Sequence, residues 1–402
     1  MAKVFSNPST RNEWFDKGDG LTMTHKSKLV IKIGTSSLAS TTGALSEEKL
    51  NHIVEVVSAS MQAGHQVVLV SSGAIAAGYE RMGYPVRPVT TKAKQAAASV
   101  GQAILMNAYQ EAFMKKGIVS AQLLLTRQEM LQETSYQHLQ NTMNELLSRK
   151  VLPIINENDS TSIDELTFGD NDHLASLVTG FVHADFCLLF TDVDGIYDRN
   201  PKIDPHAKRI QTLTTGELGT DPDLDLRGGS KQGTGGMEAK IHAAVEAATM
   251  GATVFIGKLE IDMPNLIQMT INGDGPGTYI VSDQPVPLKT KKQWIAFHAT
   301  VSGELIIDRG AAEALLTEGK SLLAVGVKQV TGRFTKYATV IVRSPDGAII
   351  GKGRTRCDAN MLTDFLHTPP TPSPLVIHRD DWVAMNESYR ERMSAHDYTT
   401  PI

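Results

Sequence analysis

The feature that most constrains the fold of this chain is an alternation between short apolar segments and longer amphipathic stretches. Six segments are apolar at nearly every position: 29–33, 67–70, 119–125, 151–155, 186–190 and 253–256. Strands of this kind are buried on both faces, which requires a mainly parallel sheet with helices on each side. Helical patterns supply those layers at 47–61, 93–113, 135–147, 173–181 and 237–250. We therefore predict an α/β fold, a mainly parallel open sheet sandwiched by helices.

The C-terminal part of the chain follows a different pattern. Residues 283–292 are rich in Pro and Lys, which predicts a linker. Beyond it, strand-like runs split by glycine turns at 294–307, 321–330, 338–342 and 348–351 indicate a small β-rich domain. The predicted division is an N-terminal extension (1–27), an α/β domain (28–282), a linker (283–292), a β-rich domain (293–380) and a polar tail (381–402).

Charge and cysteine content exclude several classes of protein. A net charge of -5 gives the whole chain no attraction to nucleic acid or to an anionic membrane. Cys187 and Cys357 are the only cysteines, too few for a disulfide framework or a cysteine zinc site. The polar N-terminus does not resemble a secretory signal, and no apolar run approaches the roughly 20 residues of a membrane helix. We expect a cytoplasmic protein that does not contact the membrane.

Three glycine-containing loops have the composition of anion sites. Lys32 and Gly34 follow the first strand, and Ser72 follows the second, so both loops lie at the carboxyl edge of the sheet. The segment 233–240 opens a helix with three glycines and ends at Lys240. Such loops let backbone N–H groups approach a phosphate, although each one alone equally fits a tight turn or a helix cap. Three on one sheet, two of them with a lysine, indicate phosphate binding without a P-loop or a Rossmann fingerprint.

Carboxylates and amides cluster at the same edge. The cluster consists of Asn156, Glu157, Asn158 and Asp159 after the fourth strand, and Asp170, Asn171 and Asp172 before the next helix. Asp and Asn also cap helices and end strands, so each segment alone has a purely structural interpretation. Together they suit an ammonium group and a polar substrate better than a nucleotide. Thr191 and Asp192 follow the fifth strand, where they form either a turn or a wall of a nucleotide site.

Taken together, these segments resemble the amino acid kinase family, and within it the members that phosphorylate the side-chain carboxylate of glutamate. The resemblance runs in order from about residue 28 to residue 257 and depends on 32–36, 71–78, 123–127, 155–159, 169–172, 191–192 and 233–240. The β-rich remainder resembles a PUA domain. The implied activity is ATP-dependent formation of glutamyl 5-phosphate, the first step of proline synthesis.

The resemblance implies roles for individual residues. It assigns ATP binding to Lys32, Thr191, Asp192, Thr234, Gly235, Gly236, Met237, Glu238, Ala239 and Lys240. It assigns glutamate binding to Ser72, Asp159 and Asn171, with Asn156 and Asp170 close by. Asp172 would orient Lys32 and Lys240, and these three form the implied catalytic set. Mg²⁺ would accompany ATP without a metal site in the protein, proline would act as a feedback inhibitor, and the chain would form a homo-oligomer (dimer or tetramer).

The chemistry of this reaction fits the residues present. A glutamate side chain, with an ordinary pKa of about 4.3, is ionised at neutral pH and needs no general base. Alternatives remain open at this point: a sister kinase acting on N-acetylglutamate, aspartate or carbamate, an RNA-binding protein that uses its PUA-like domain, or an inactive regulator. Asp159 is the discriminating residue among substrates, because a carboxylate facing the α-nitrogen suits a free ammonium and disfavours an acetylated one.

Overall fold

A computed structural model describes residues 26–40, 42–161, 171–201, 203–220, 237–259, 263, 265–283, 290–297, 299–368 and 370–385. Four of the site residues named above, Asp170, Thr234, Gly235 and Gly236, lie outside these ranges, as do nearly all of the predicted N-terminal extension and most of the polar tail.

The predicted parallel sheet is present. Within the described residues it has eight strands: β1 (Lys28–Ile33), β2 (Gln66–Ser71), β3 (Ser120–Leu125), β4 (Leu152–Glu157), β5 (Phe186–Thr191), β6 (Thr212–Thr214), β7 (Thr253–Lys258) and β8 (Gly277–Val281). Their order is β3-β4-β2-β1-β5-β7-β8-β6. All neighbouring pairs are parallel except β7 and β8. The fold class predicted from the apolar segments is therefore confirmed.

Helices cover both faces of the sheet. They are α1 (Glu47–Gln62), α2 (Ala74–Gly78), α3 (Thr91–Met114), α4 (Arg127–Leu131), α5 (Glu133–Ser148), α6 (Asn171–Val182), α7 (Thr215–Thr220), α8 (Met237–Thr249), α9 (Leu266–Ile271) and α10 (Thr290–Phe297), with 3₁₀ turns at Thr35–Ser37 and Glu80–Met82. Alternate residues of one strand enter two separate cores. Val30 of β1 packs with α5, α6 and α8, whereas Ile31 packs with α1 and α3. This burial on both faces explains why the strands are apolar at nearly every position.

A second sheet follows. Its strands are β9 (Val301–Ile307), β10 (Leu322–Leu323), β11 (Val327–Gly332), β12 (Thr339–Arg343), β13 (Ile349–Thr355) and β14 (Leu375–Ala384), with helices α11 (Arg309–Leu316) and α12 (Ala359–His367) and a 3₁₀ turn at Ala324–Gly326. The strand order is β10-β14-β13-β12-β9-β11. Leu305, Val340 and Ile377 are fully buried in a core of its own. The prediction of a small β-rich domain is confirmed.

The predicted strand at 294–307 is wrong in its first part. Residues up to Phe297 belong to α10, and the strand begins only at Val301. The apolar run at 294–297 is about one helical turn long, so its periodicity fits a strand and a helix equally well. The last strand also continues to Ala384, past the predicted end of the domain at 380. The predicted linker overlaps the start of α10, and the exact limits of the two domains remain a prediction.

Helix α10 connects the two sheets. Trp294 and Ile295 are buried in the core formed by α5, α6 and α8, and the Trp294 Nε1 donates to the carbonyl oxygen of Met130 over 3.2 Å. On the other side, Lys352 of β13 donates from Nζ to the Ala296 carbonyl oxygen, and burial lowers the pKa of Lys352 to about 8. Arg354 Nη1 lies 2.6 Å from Glu133 Oε1 at the start of α5. The β-rich domain therefore contacts the eight-stranded α/β domain through α10 and α5.

No helix among the residues described here combines the length and apolarity needed to cross a bilayer.

We predict that Ile295→Ala destabilises the protein by about 2–5 kcal/mol, the usual loss when a fully buried aliphatic side chain is truncated. Alanine is a good helix former, so the loss reports packing and not helix propensity. Urea unfolding monitored by circular dichroism measures the effect. Val325→Ala, at a side chain that is 63% exposed, is the control and should change stability little. A loss below about 1 kcal/mol for Ile295→Ala would show that α10 does not contribute to the main core.

Candidate active site

A buried carboxylate holds two lysines at the centre of the sheet. Lys32 Nζ lies 2.6 Å from Asp172 Oδ1, and Lys240 Nζ lies 2.5 Å from Asp172 Oδ2. The side chains of Lys32 and Asp172 are 6% and 1% exposed. Burial alone would raise the pKa of Asp172, but the two adjacent ammonium groups outweigh burial and hold that pKa below its usual range. The group carries a net positive charge at neutral pH and suits an anion.

The fold explains why these three residues meet. Lys32 is two residues after Val30, so its side chain points to the sheet face that α6 and α8 cover. Asp172 and Lys240 occupy the first turns of α6 and α8. Helix N-termini leave backbone N–H groups without intrahelical partners, and these favour a negative charge such as Asp172 or a bound anion.

A polar cavity of about 220 Å³ lies beside this cluster. It is lined by Thr35, Ser72, Gly73, Ala74, Ile75, Ala76, Arg87, Lys94, Asn156, Glu157, Asp159 and Asn171. Four residues predicted to bind substrate (Ser72, Asn156, Asp159 and Asn171) therefore share one cavity. Asn171 immediately precedes Asp172, so the cavity adjoins the two lysines.

Hydrogen bonds fix the amide groups of the cavity. The Asn171 Nδ2 donates to Ser72 Oγ over 2.8 Å and to Asn156 Oδ1 over 3.0 Å. The Asn156 Nδ2 donates in turn to Gln102 Oε1 over 2.9 Å. The Oδ1 of Asn171 is buried and accepts no hydrogen bond from the residues that the structure describes. An acceptor of this kind is expected where a ligand supplies the donor.

Asp159 is held in an unfavourable environment for a carboxylate. The pKa of Asp159 is raised to about 6. Burial is the main cause and the nearby charge of Glu157 adds to it, while the charge of Arg87 acts in the opposite direction. At neutral pH the ionised Asp159 therefore gains from a cationic partner. An ammonium group in the cavity would provide one.

The predicted nucleotide-binding residues are placed at the same edge of the sheet. Thr191 ends β5, and its Oγ1 donates to Asp192 Oδ1 over 3.0 Å. Met237, Glu238 and Ala239 form the first turn of α8 with Lys240, although the Glu238 side chain is exposed near His242. The position of these residues at strand and helix ends agrees with a phosphate site, and their individual roles remain predictions.

The sequence profile of the amino acid kinase family matches residues 27–258, more than half of the chain. The chain belongs to the amino acid kinase family. The profile of the PUA domain matches residues 303–368, within the second sheet.

Two relatives in this family match over almost their whole length. Glutamate 5-kinase of Bacillus cereus (strain G9842) is 46% identical over 370 residues, covering 90% of this chain and 100% of that protein. Glutamate 5-kinase 1 of Bacillus subtilis (strain 168) is 44% identical over 373 residues, with the same coverage. Among solved structures, carbamate kinase from Giardia lamblia bound to AMP-PNP aligns with a TM-score of 0.48 and 16% identity, covering 65% of this chain and 100% of that chain.

Three residues of this amino acid kinase site were not identified from the sequence. Arg87 and Lys94 line the cavity, and Gln102 orients Asn156. Gln102 is a buried polar residue on the long helix α3. Its neighbour Gly101 is required by a close helix contact, because a Cβ there would lie 1.8 Å from the Ala74 carbonyl oxygen. This contact brings α3 against the loop that carries Ser72.

We predict that Asp159→Asn stabilises the ligand-free protein at neutral pH. The folded-state pKa of about 6 lies above the ordinary value of 3.8, so ionisation costs folding stability as pH rises between these values. Below this window the variant and the wild type should therefore differ little. Above about pH 6 the advantage of the variant should stay constant.

Urea unfolding without ligands, at a series of pH values across this window, measures the difference. Asp364→Asn, on the exposed surface of α12, is the control and should show no such pH dependence. A variant that is less stable than the wild type at pH 7, or a difference that does not change with pH, would contradict the environment described for Asp159.

Proposed function

We propose that this chain is a glutamate 5-kinase, which transfers the γ-phosphoryl group of ATP to the side-chain carboxylate of L-glutamate and forms L-glutamyl 5-phosphate. The main support is the position of the Lys32–Asp172–Lys240 cluster directly beside the cavity that Asp159 and Asn171 line. Identity of 46% with a glutamate 5-kinase over 90% of the chain agrees with this assignment. In this role the chain catalyses the first step of proline synthesis.

The nucleophile needs no activation by the protein. A glutamate side chain is ionised at neutral pH, and none of the residues lining the cavity is a His or a Cys. The reaction still requires that the glutamate carboxylate and the γ-phosphate of ATP be aligned, and that the repulsion between these two anions be compensated. Because the carboxylate oxygen attacks the γ-phosphorus while ADP leaves, no proton has to move.

Lys32 and Lys240 compensate this charge. Two lysines would repel each other if they stood alone in a buried site, and Asp172 keeps both in place with one carboxylate. The cluster retains a net positive charge that the transferring phosphoryl group can use. Because the three groups are fixed before the substrates arrive, little reorganisation is needed during the reaction.

Asp159 and Asn171 support the choice of a free amino acid. The ionised Asp159 and the unpaired Oδ1 of Asn171 are acceptors that an α-ammonium satisfies. An acetylated nitrogen has one N–H and no charge, so N-acetylglutamate would leave the half-buried Asp159 without compensation. Aspartate and carbamate remain weaker candidates, because both are shorter than glutamate.

ATP would bind along Thr191, Asp192 and the segment 234–240, with its γ-phosphate towards Lys32 and Lys240. The described residues contain no group of three or more His, Cys, Asp or Glu that could hold a metal ion. Both Asp172 oxygens face lysines, so this carboxylate does not fit a Mg²⁺ ligand either. Magnesium would instead be held by the phosphate oxygens of ATP, whose charge it neutralises.

Three further expectations accompany the proposed function: inhibition by proline, assembly into a homo-oligomer, and RNA binding by the PUA domain. Proline carries an ammonium and a carboxylate on one carbon, as glutamate does, so it would compete at Asp159. The family likeness implies a dimer or tetramer.

RNA binding by the PUA domain is a second candidate function. It is supported by the PUA match and opposed by the net charge of -5, and a gel-shift at physiological salt tests it.

The proposal is tested by ATP consumption with glutamate, N-acetylglutamate, aspartate and carbamate, using the wild type and Asp159→Asn. We expect the highest kcat/KM for glutamate, and a rise of ~10- to 100-fold in the KM for glutamate in the variant, because a hydrogen bond to a charged group is lost. The KM for ATP should change little. A higher kcat/KM for another substrate would overturn the assignment, and an unchanged KM for glutamate would remove Asp159 from the substrate site.

We predict that Lys32→Ala and Lys240→Ala each lower kcat by ~100- to 1000-fold, the usual effect of removing one group that stabilises the transition state. Lys116→Ala, on the surface away from the cavity, is the control and should keep normal turnover. Thermal unfolding shows whether each variant remains folded. A folded variant with near-normal kcat would show that the lysine concerned does not act on the phosphoryl group.

A further inference from the structure

The cavity has two cationic side chains that the family motifs do not include. Arg87 lies between the 3₁₀ turn Glu80–Met82 and α3, and Lys94 lies in the first turns of α3. Both line the cavity together with Asp159 and Asn171. They are separate from Lys32 and Lys240, which belong to β1 and α8.

The side chains of Arg87 and Lys94 make no hydrogen bond or ion pair with the residues that the structure describes, although the Lys94 backbone N–H donates to the Thr90 carbonyl oxygen within α3. Surface lysines and arginines commonly lack partners, but these two line a cavity of about 220 Å³ that also contains carboxylates and amides. The first turn of α3 adds to the positive charge. It contains no acidic residue, and the side chain of its N-cap, Thr90, makes no capping hydrogen bond. A cation at a helix N-terminus is destabilising, so Lys94 has no evident role in stabilising the helix.

The position of Arg87 relative to Asp159 identifies the group it would bind. Arg87 and Asp159 line the same cavity, and the charge of Arg87 opposes the rise of the Asp159 pKa. In an α-amino acid the ammonium and the α-carboxylate are attached to the same carbon. A cation that binds the α-carboxylate therefore has to lie next to the carboxylate that binds the ammonium. Arg87 meets this condition, and Lys94 lines the same cavity.

We propose that Arg87 and Lys94 bind the α-carboxylate of the substrate and thereby select dicarboxylic α-amino acids. This inference rests on the proposed function, because it assumes that the side-chain carboxylate is directed towards Lys32. The cavity then presents cations to both carboxylates of glutamate and acceptors to its ammonium group. The planar guanidinium of Arg87 suits two parallel hydrogen bonds to a carboxylate, and Lys94 adds a point charge.

Two analogues that each lack one group of glutamate test the proposal. 4-Aminobutanoate keeps the ammonium and the phosphorylatable carboxylate but lacks the α-carboxylate. Glutarate keeps both carboxylates but lacks the ammonium. Each is measured as an inhibitor of glutamate turnover and as a substrate, with the wild type, Arg87→Gln, Lys94→Gln and Asp159→Asn. Arg81→Gln and Lys92→Gln are matched controls, because these exposed residues are close in sequence but do not line the cavity.

We expect Arg87→Gln and Lys94→Gln each to raise the KM for glutamate by ~10- to 100-fold and to weaken glutarate inhibition similarly, with little change in the KM for ATP. Their inhibition by 4-aminobutanoate should equal that of the wild type. Asp159→Asn should show the opposite pattern. Its inhibition by 4-aminobutanoate should weaken, and its inhibition by glutarate should equal that of the wild type. The two control variants should behave as the wild type does.

Two results would overturn the inference. One is an unchanged KM for glutamate in both Arg87→Gln and Lys94→Gln. The other is an equal weakening of inhibition by glutarate and by 4-aminobutanoate in these variants, which would indicate a general effect on the cavity. Failure of the proposed function itself would be seen in the wild type, which would then consume no ATP with glutamate. Failure of the inference alone would leave this activity of the wild type intact.

Discussion

The arrangement of the site depends on one interaction, the contact of the Asp172 carboxylate with Lys32 and Lys240. Removing three charges from water costs more than most ion pairs recover, and apolar side chains in such positions usually give an equally stable protein. Stability therefore does not explain why this cluster is present. A buried group that keeps net positive charge at the end of a central strand suits a bound anion. Under the proposed function, that anion would be the transferring phosphoryl group.

The sheet topology places this cluster where a ligand can reach it. From β1 the chain extends the sheet in two directions, through β2, β4 and β3 on one side and through β5, β7 and β8 on the other. Open α/β sheets bind ligands at such a switch point, because the loops leave the carboxyl ends of adjacent strands in opposite directions and open a crevice. Lys32 and Thr191 lie at the ends of the two strands that flank this crevice. Helices α6 and α8, on one face of the sheet, place Asp172 and Lys240 at this crevice.

Much of this arrangement was predictable from the sequence. The apolar strands were recognisable because the sheet is buried on both faces. The convergence of Ser72 and Asn156 followed from their positions at the carboxyl ends of parallel strands, and that of Asn171 from its position at the start of the next helix. Periodicity could not decide whether the short run at 294–297 is helix or strand, because packing against the main core determines its conformation. Arg87, Lys94 and Gln102 were missed for another reason. They lie on a loop and a helix that reach the cavity only through the close contact of α2 with α3, and nothing local in the sequence encodes that contact.

The distribution of charge along the cavity suggests how the proposed substrate would be selected. In the proposed mode, lysines face the side-chain carboxylate, Asp159 and Asn171 face the ammonium, and Arg87 and Lys94 face the α-carboxylate. A substrate shorter by one methylene, such as aspartate, cannot reach both cationic ends, and a difference of one methylene is worth roughly 1–3 kcal/mol. Removing a charged group has a larger effect, because it leaves a charged side chain of the protein uncompensated. The raised pKa of Asp159 agrees with this view, because burial and the nearby Glu157 already disfavour its ionised form. In this proposed mode the site would discriminate mainly through the charges left unpaired when a wrong substrate enters, and only secondarily through its length.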